Sequence, residues 1–502
     1  MKKLIAVISL LLAFVTLLTS CNTGGGNTDV TTTSELTENT DEQNVQASLD
    51  IVKDKKSEYT VIYGASASEE VKDCAELLAN EIKTKTGVSL TVKDDSSELT
   101  GKEILVGETN REGSAPENAL LKGEYRIFAL NEDLAVLGYS AAELRYAVTY
   151  FAYVHVNGDG ISLENGFEYA HKTEYTTMRI SKYADKVKVY GRSSSSTSGV
   201  TVDWSGSGIE FNAECFGDIS VTVSSTKSTY FAAYVNGEKL DTLFLANEGT
   251  NTFKIAEGLD YGVYNVRLLK CANVVQANCI AESIKIDGKL LDAPADKELL
   301  IEFIGDSITC GYGVIEGATS DSANVGTYKY CDATRAFAYL TAEKLGADWR
   351  IEGVSGAGMV SGYTSYTVPE IYYTHTWARN KTKQYDFANE RTPDVIVINL
   401  GTNDQSKSSN AEAFRTAVKT FVQTIREKYG KDIPIVWAYG MMNDAMNTHV
   451  KTVFEGLGGA AHGYYTVKLT QNKKGGNGHP NAAGQITAAE ELTKFLKENV
   501  LK

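Results

Sequence analysis

Four short blocks carry the residue types that acyl chemistry needs. Gly305-Asp306-Ser307-Ile308-Thr309-Cys310-Gly311-Tyr312-Gly313 follows an apolar run at 299–304, and this predicts a strand-to-helix turn that exposes the Ser307 hydroxyl. Val354-Ser355-Gly356-Ala357-Gly358 lacks side chains where a main-chain N–H would approach an oxygen closely. Gly401-Thr402-Asn403-Asp404 offers a side-chain amide donor, and Gly478-His479-Pro480-Asn481 offers a base whose intrinsic pKa suits neutral pH. A serine hydroxyl is a weak nucleophile until a base takes its proton, and the oxyanion it generates on a carbonyl needs fixed donors. Each block alone reads as structure: a serine after a strand caps helices, Gly, Asn and Asp make turns, and a proline starts a helix. Their joint occurrence, three at strand ends and the fourth before the last helix, points to one site.

The elements that must position these blocks are legible as apolar runs at 299–304, 349–354, 394–400 and 433–439, separated by helical stretches. This alternation predicts a mainly parallel sheet with helices on both faces, a three-layer α/β/α domain over 296–502. In such sheets ligands sit outside the carboxyl ends of the strands. From 178 to 295 short runs of Val, Thr, Tyr, Ile and Phe broken by Gly, Asn, Asp and Ser predict an antiparallel β-sandwich, with a hairpin turn at Val235-Asn236-Gly237-Glu238. From 51 to 177 a small α/β domain is expected. One of its helices carries Val71, Cys74, Ala75, Leu78 and Ile82 on a single face, and another carries Leu144, Ala147, Val148 and Phe151. Nothing in that domain's sequence points to a role.

In this order the four blocks resemble the SGNH (GDSL-type) hydrolase superfamily. The resemblance implies Ser307 as nucleophile, His479 as general base, and an oxyanion hole made by the N–H groups of Ser307 and Gly356 and the amide of Asn403. Gly358, in the same turn, is an alternative to Gly356. The runs from Leu300 to Thr309 and from Pro393 to Asp404, behind a sandwich, look like carbohydrate esterase family 2. Tyr190-Gly191-Arg192 and Trp204-Ser205-Gly206-Ser207-Gly208 also resemble that family, and the likeness covers about 186–502. It implies a jelly-roll domain joined to an SGNH domain, with no metal or cofactor. It also implies removal of acetyl groups from plant polysaccharides such as acetylated xylan or glucomannan, through an acetyl-serine intermediate. One position departs from the pattern. SGNH enzymes usually carry an acid two or three residues before the histidine, where this chain has Asn477 and Gly476. Asn477 is the candidate orienter of His479 through its amide oxygen. The resemblance also implies a Ser-His dyad whose ring is oriented by a main-chain carbonyl. Trp377, in a loop-like stretch at 372–383, is the candidate sugar contact. Two other readings stay open: a catalytically weak or inactive glycan-binding surface lipoprotein, and an esterase acting on acetylated cell-wall glycan.

The ends and the composition bound where and on what the chain acts. Lys2 and Lys3, an apolar run at 4–18 and Leu18-Thr19-Ser20-Cys21 read as a signal peptide over 1–20. That run is shorter than the roughly 20 residues a membrane span needs. Leu-Thr-Ser-Cys resembles the bacterial lipobox, which implies a lipid anchor on Cys21 and a surface or extracytoplasmic location on the bacterial membrane. Residues 21–50, rich in Thr, Gly, Asn and acids, are expected to be a flexible acidic tether. A net charge of -15 argues against nucleic acid as a partner and fits neutral glycans. Beyond Cys21 lie Cys74, Cys215, Cys271, Cys279, Cys310 and Cys331, with no C-x-x-C or paired-histidine spacing that would suggest zinc. An exported compartment allows bridges, Cys310 with Cys331 and Cys271 with Cys279 first, and buried free thiols are the equal alternative.

Overall fold

The computed structural model describes residues 48–114, 119–315, 328–374 and 384–501. Its C-terminal part is built on five parallel strands in the order Asp348–Gly353, Leu300–Gly305, Val395–Asn399, Ile435–Tyr439 and Tyr464–Lys468. The first four are buried along their whole length, as parallel strands covered on both faces must be. Alternate residues serve the two faces. Ile301, Phe303, Val395 and Val397 pack with the helices Phe337–Leu345 and Ala482–Asn499, whereas Ile304, Ile396, Ile398 and Trp437 pack with Ala411–Tyr429 and Asn447–Gly456. The expected three-layer α/β/α arrangement is therefore present. The strand Tyr464–Lys468 was not legible: it has one neighbour, is largely half-exposed, and lacks the continuous apolar run of a central strand.

Upstream, a ten-stranded antiparallel network is dominated by Gly208–Ser225, Thr229–Val235, Gly249–Lys270 and Cys279–Leu290. Glu214, Gly217 and Asp218 make the sequence read as separate short runs, yet Gly208–Ser225 is one strand of 18 residues. Register shifts between Cys215 and Ser220 let it bend without ending, which is what bulges do to paired strands. Its core includes Phe211, Val221, Phe231, Val266 and Ile284. The hairpin forms as expected: Val235 pairs with Glu238, and Asn236 and Gly237 take the positive φ values of 51° and 82° that the tight turn requires.

The first part of the described chain is a six-stranded mixed sheet in the order Thr91–Asp94, Thr60–Tyr63, Glu103–Val106, Asp133–Gly138, Glu124–Leu130 and Glu168–Lys172. Its helices Glu69–Thr86 and Ala141–His155 bury Cys74, Ala75, Leu78 and Ile82, and Leu144, Ala147, Val148 and Phe151. Phe216 of the β-network enters this core, and Arg145 forks onto Asp260 at 2.6 and 2.7 Å.

A second crossing joins the β-network to the parallel sheet. Arg192, two residues beyond the strand Val187–Tyr190, is wholly buried beneath the parallel sheet. Its Nη2 donates to Glu302 at 2.7 Å, its Nε lies 3.4 Å from Glu352, and Nη1 donates to the Tyr372 carbonyl. The guanidinium carbon lies 4.2 and 4.0 Å from the ring centres of Tyr372 and Tyr385. Of the two alternatives for the cysteines, the structure has the second: Cys310, Cys331, Cys271, Cys279, Cys74 and Cys215 are all buried free thiols.

Candidate active site

Ser307 stands two residues beyond the strand Leu300–Gly305. No helix follows it. Residues 306–313 make successive tight turns, because Gly311 and Gly313 are left-handed (φ 68° and 67°) and cannot continue a right-handed helix. The Ser307 hydroxyl donates to His479 Nε2 across 2.7 Å. On the far side of the ring Nδ1 lies 3.0 Å from the Gly476 carbonyl oxygen and 3.2 Å from that of Asn477. Carbonyls only accept, so Nδ1 carries the proton and Nε2 is left as acceptor, the tautomer a general base requires. His479 is 7 % exposed, and burial pushes its pKa down to about 4, against the upward pull of the two carbonyls. The imidazole is accordingly neutral at physiological pH.

Asn477 touches the base, as the sequence suggested, but through its main-chain oxygen rather than its amide. Its backbone is left-handed (φ 52°, ψ 39°), a conformation that Asn tolerates, and this turns the carbonyl toward the ring.

Gly356 and Asn403 line the same cleft, of about 350 Å³, as Ser307 and His479. Gly356 is left-handed (φ 81°). Gly358, the alternative, serves packing: a Cβ there would lie 2.0 Å from the Ser361 carbonyl oxygen and 2.6 Å from an Asp404 carboxylate oxygen. The Asn403 amide nitrogen donates to the Ala357 carbonyl at 2.9 Å and to Asp306 Oδ2 at 3.2 Å, so its plane is fixed before substrate arrives. Asp306 is fully buried. Burial pushes its pKa up to about 7, with the charge of Asp404 adding to the rise and the Ile308 N–H opposing it. Asp404 accepts from three successive main-chain N–H groups, Met359 and Val360 at 2.8 Å and Ser361 at 3.1 Å.

Asp306, Tyr312 and Asp404 stood inside the motif blocks, but residue type alone does not tell which way a carboxylate or a ring points. Tyr363, 65 % exposed and on the cleft wall, carried no sequence signal at all. Trp377 and Cys21 lie outside the described residues. Among the described residues no cluster of His, Cys, Asp or Glu is arranged to hold a metal ion.

Fold and site together define a hydrolase domain of the SGNH type carried beside a β-domain. Residues 303–485 match the GDSL-like Lipase/Acylhydrolase family and residues 189–294 match the Carbohydrate esterase 2 N-terminal family. The chain is similar to a family two carbohydrate esterase from Clostridium thermocellum solved in complex with cellohexaose: 30 % identity, a TM-score of 0.58, and coverage of 62 % of this chain and 98 % of that one. It is 32 % identical over 315 residues to the cellulase/esterase CelE of Acetivibrio thermocellus, covering 59 % of this chain and 37 % of that protein. It is also 37 % identical over 112 residues to an acetylxylan esterase / glucomannan deacetylase of Cellvibrio japonicus, covering 22 % of this chain and 31 % of that one. These matches thus span about a third of each of these two curated relatives. The chain belongs to carbohydrate esterase family 2.

Proposed function

We propose that the chain is a carbohydrate O-acetyl esterase acting on plant polysaccharide such as acetylated xylan or glucomannan. The observation that carries this reading is the 2.7 Å contact between Ser307 and a neutral His479 whose tautomer is fixed by two carbonyls. Ser307 Oγ attacks the acetyl carbonyl while His479 Nε2 takes its proton. The N–H groups of Ser307 and Gly356 hold the oxyanion, joined by the Asn403 amide as it exchanges its longer, 3.2 Å bond to Asp306 for one to the oxyanion. The sugar oxygen leaves with the proton from His479, and water then hydrolyses the acetyl-serine by the same steps in reverse. The described cleft is lined by no Lys, Arg, Asp or Glu, which suits a neutral ester of a neutral sugar. Tyr363 presents its exposed ring at the cleft with Lys407 Nζ 3.9 Å from the ring centre, and we assign it as a sugar-facing platform. The lipobox-like Leu18-Thr19-Ser20-Cys21 supports acylation of Cys21 and a place on the membrane surface, tested by loss of lipid labelling in Cys21→Ala.

The test is acetate release from acetylated xylan and glucomannan by the parent and by Ser307→Ala. Release by the parent and at least a 10³-fold loss in the variant is expected, roughly the scale for removing a nucleophile. Silence from the parent on both polymers and on simple acetyl esters would overturn the reading in favour of a binding protein.

A further inference from the structure

A Ser-His pair with no carboxylate behind it leaves two tasks open: the imidazole must be held in line with the serine, and the charge it acquires in the transition state must be offset. The carbonyls at Nδ1 meet the first only along one edge of the ring. The face of the ring is met by Tyr312, with ring centroids 4.4 Å apart and planes inclined at 38°. Tyr312 is held there by the backbone. Its N–H donates to the Ser307 carbonyl at 3.0 Å, and the Gly476 N–H donates to the Gly313 carbonyl at 3.0 Å. A Cβ on Gly313 would come within 2.8 Å of the Gly476 oxygen, and one on Gly475 within 2.7 Å of the Gly313 oxygen, so only two glycine-bearing turns can meet this closely. The Asn477 carbonyl accepts from the His479 Nδ1–H at 3.2 Å.

We propose that Tyr312 is a positioning residue that stands in for the missing third triad member: its ring face holds the His479 imidazole against Ser307 and stabilises the imidazolium formed during acyl transfer. The Oγ–H bond breaks and its proton moves to Nε2 as the Oγ–C bond forms. The carbonyl π pair moves to oxygen, and the proton passes from Nε2 to the leaving sugar oxygen when the C–O bond breaks. A cation over a tyrosine face is attracted by the ring quadrupole, more strongly where water is excluded. That is the setting of a histidine 7 % exposed. Among the described residues no charged side chain contributes to the shift in its titration.

The proposal rests on the Ser307–His479 reading of the site, and the experiment separates the two. Tyr312→Leu and Tyr312→Phe are made in the full chain. For each, kcat and KM are measured on 4-nitrophenyl acetate and the His479 imidazole is titrated by NMR, its signal assigned by loss in His479→Gln. Tyr312→Leu keeps the surroundings apolar and removes the ring face: kcat falls about tenfold with KM within about twofold, and the His479 titration moves to lower pH. Tyr312→Phe restores the ring and recovers most of the loss. Parental kcat and titration in Tyr312→Leu would overturn the proposal. So would a titration moved up toward that of free imidazole, the mark of a ring that only keeps water out. A parent with no Ser307-dependent turnover would sink the functional reading, and the NMR titration would still decide what Tyr312 does.

Discussion

His479 and Asp306 show how burial, the largest influence on each, drives two protonation states in opposite directions. Desolvation disfavours whichever form is charged, so the imidazole stays neutral to about pH 4 while the carboxyl holds its proton up to about pH 7. The consequence for catalysis follows from the sign. In the proposed mechanism the competent base is the neutral imidazole, and its folded pKa lies below the ordinary value of 6.5. Activity is therefore retained as pH falls through the range where an exposed histidine would be lost. We predict that kcat/KM measured on a simple acetyl ester between about pH 3.5 and 8 keeps its full value to about pH 5 and halves near pH 4. An acid limb centred near 6.5 would mean that His479 is solvated in the working enzyme. The same shift bears on stability. The unfolded chain binds a proton at this histidine below about 6.5 that the native state refuses until about 4, so the contribution of His479 to stability is lost as pH falls across that window.

The turn at 355–361 is organised from across the cleft by one carboxylate. Asp404, fully buried at the start of the short helix Thr402–Ser406, accepts three consecutive N–H groups of that turn, and Gly358 lies so close that no side chain fits. The two oxyanion donors proposed beside Ser307 are thus coupled: Gly356 rides on a turn held by Asp404, and Asn403 is the chain neighbour of Asp404. We predict that Asp404→Asn, which keeps an acceptor oxygen but loses the charge, lowers kcat about ten- to a hundredfold with a smaller change in KM, because donors out of place weaken transition-state binding first. Equal proportional loss in binding of a non-reacting sugar, measured by calorimetry, would show instead that the whole cleft had collapsed. The sequence placed Ser307, Gly356, Asn403 and His479 because each follows a continuous apolar run or precedes a strongly periodic helix. It could not place what depends on backbone direction. The His479 orienter is a carbonyl, and no residue type announces a carbonyl. Yet Asn477 lies between Gly476 and Gly478, and Asn flanked by glycines is the composition of a left-handed turn, a cue available before any coordinates. The edge strand Tyr464–Lys468 and the bent strand Gly208–Ser225 escaped for a related reason, since half-exposed or bulged positions blur the alternation on which strand reading depends.

At the scale of the molecule, the catalytic layers are not closed by their own residues. Glu302 and Glu352 sit on neighbouring strands under the parallel sheet, and burial pushes Glu352 up to about 8 even with Arg192 pulling it down. Arg192 belongs to the β-network and enters between Tyr372 and Tyr385. Tyr372 and Tyr429 donate their hydroxyls to Glu302, completing its coordination. A buried ion pair is weak evidence for net stability, since desolvation offsets much of the attraction, but removing one partner strands a charge in a medium that cannot solvate it. Arg192→Met should therefore destabilise the chain by about 3 to 5 kcal/mol in urea unfolding followed by circular dichroism. Adding Glu302→Gln to Arg192→Met should recover part of that loss, because a neutral amide no longer demands a cation. If Arg192→Met were as stable as the parent, the guanidinium would be no more than filler between two rings. If it is destabilised and the double variant regains stability, the β-network supplies the counter-charge for Glu302 under the parallel sheet. An α/β/α fragment cut away from it would then carry the uncompensated Glu302 carboxylate in its core.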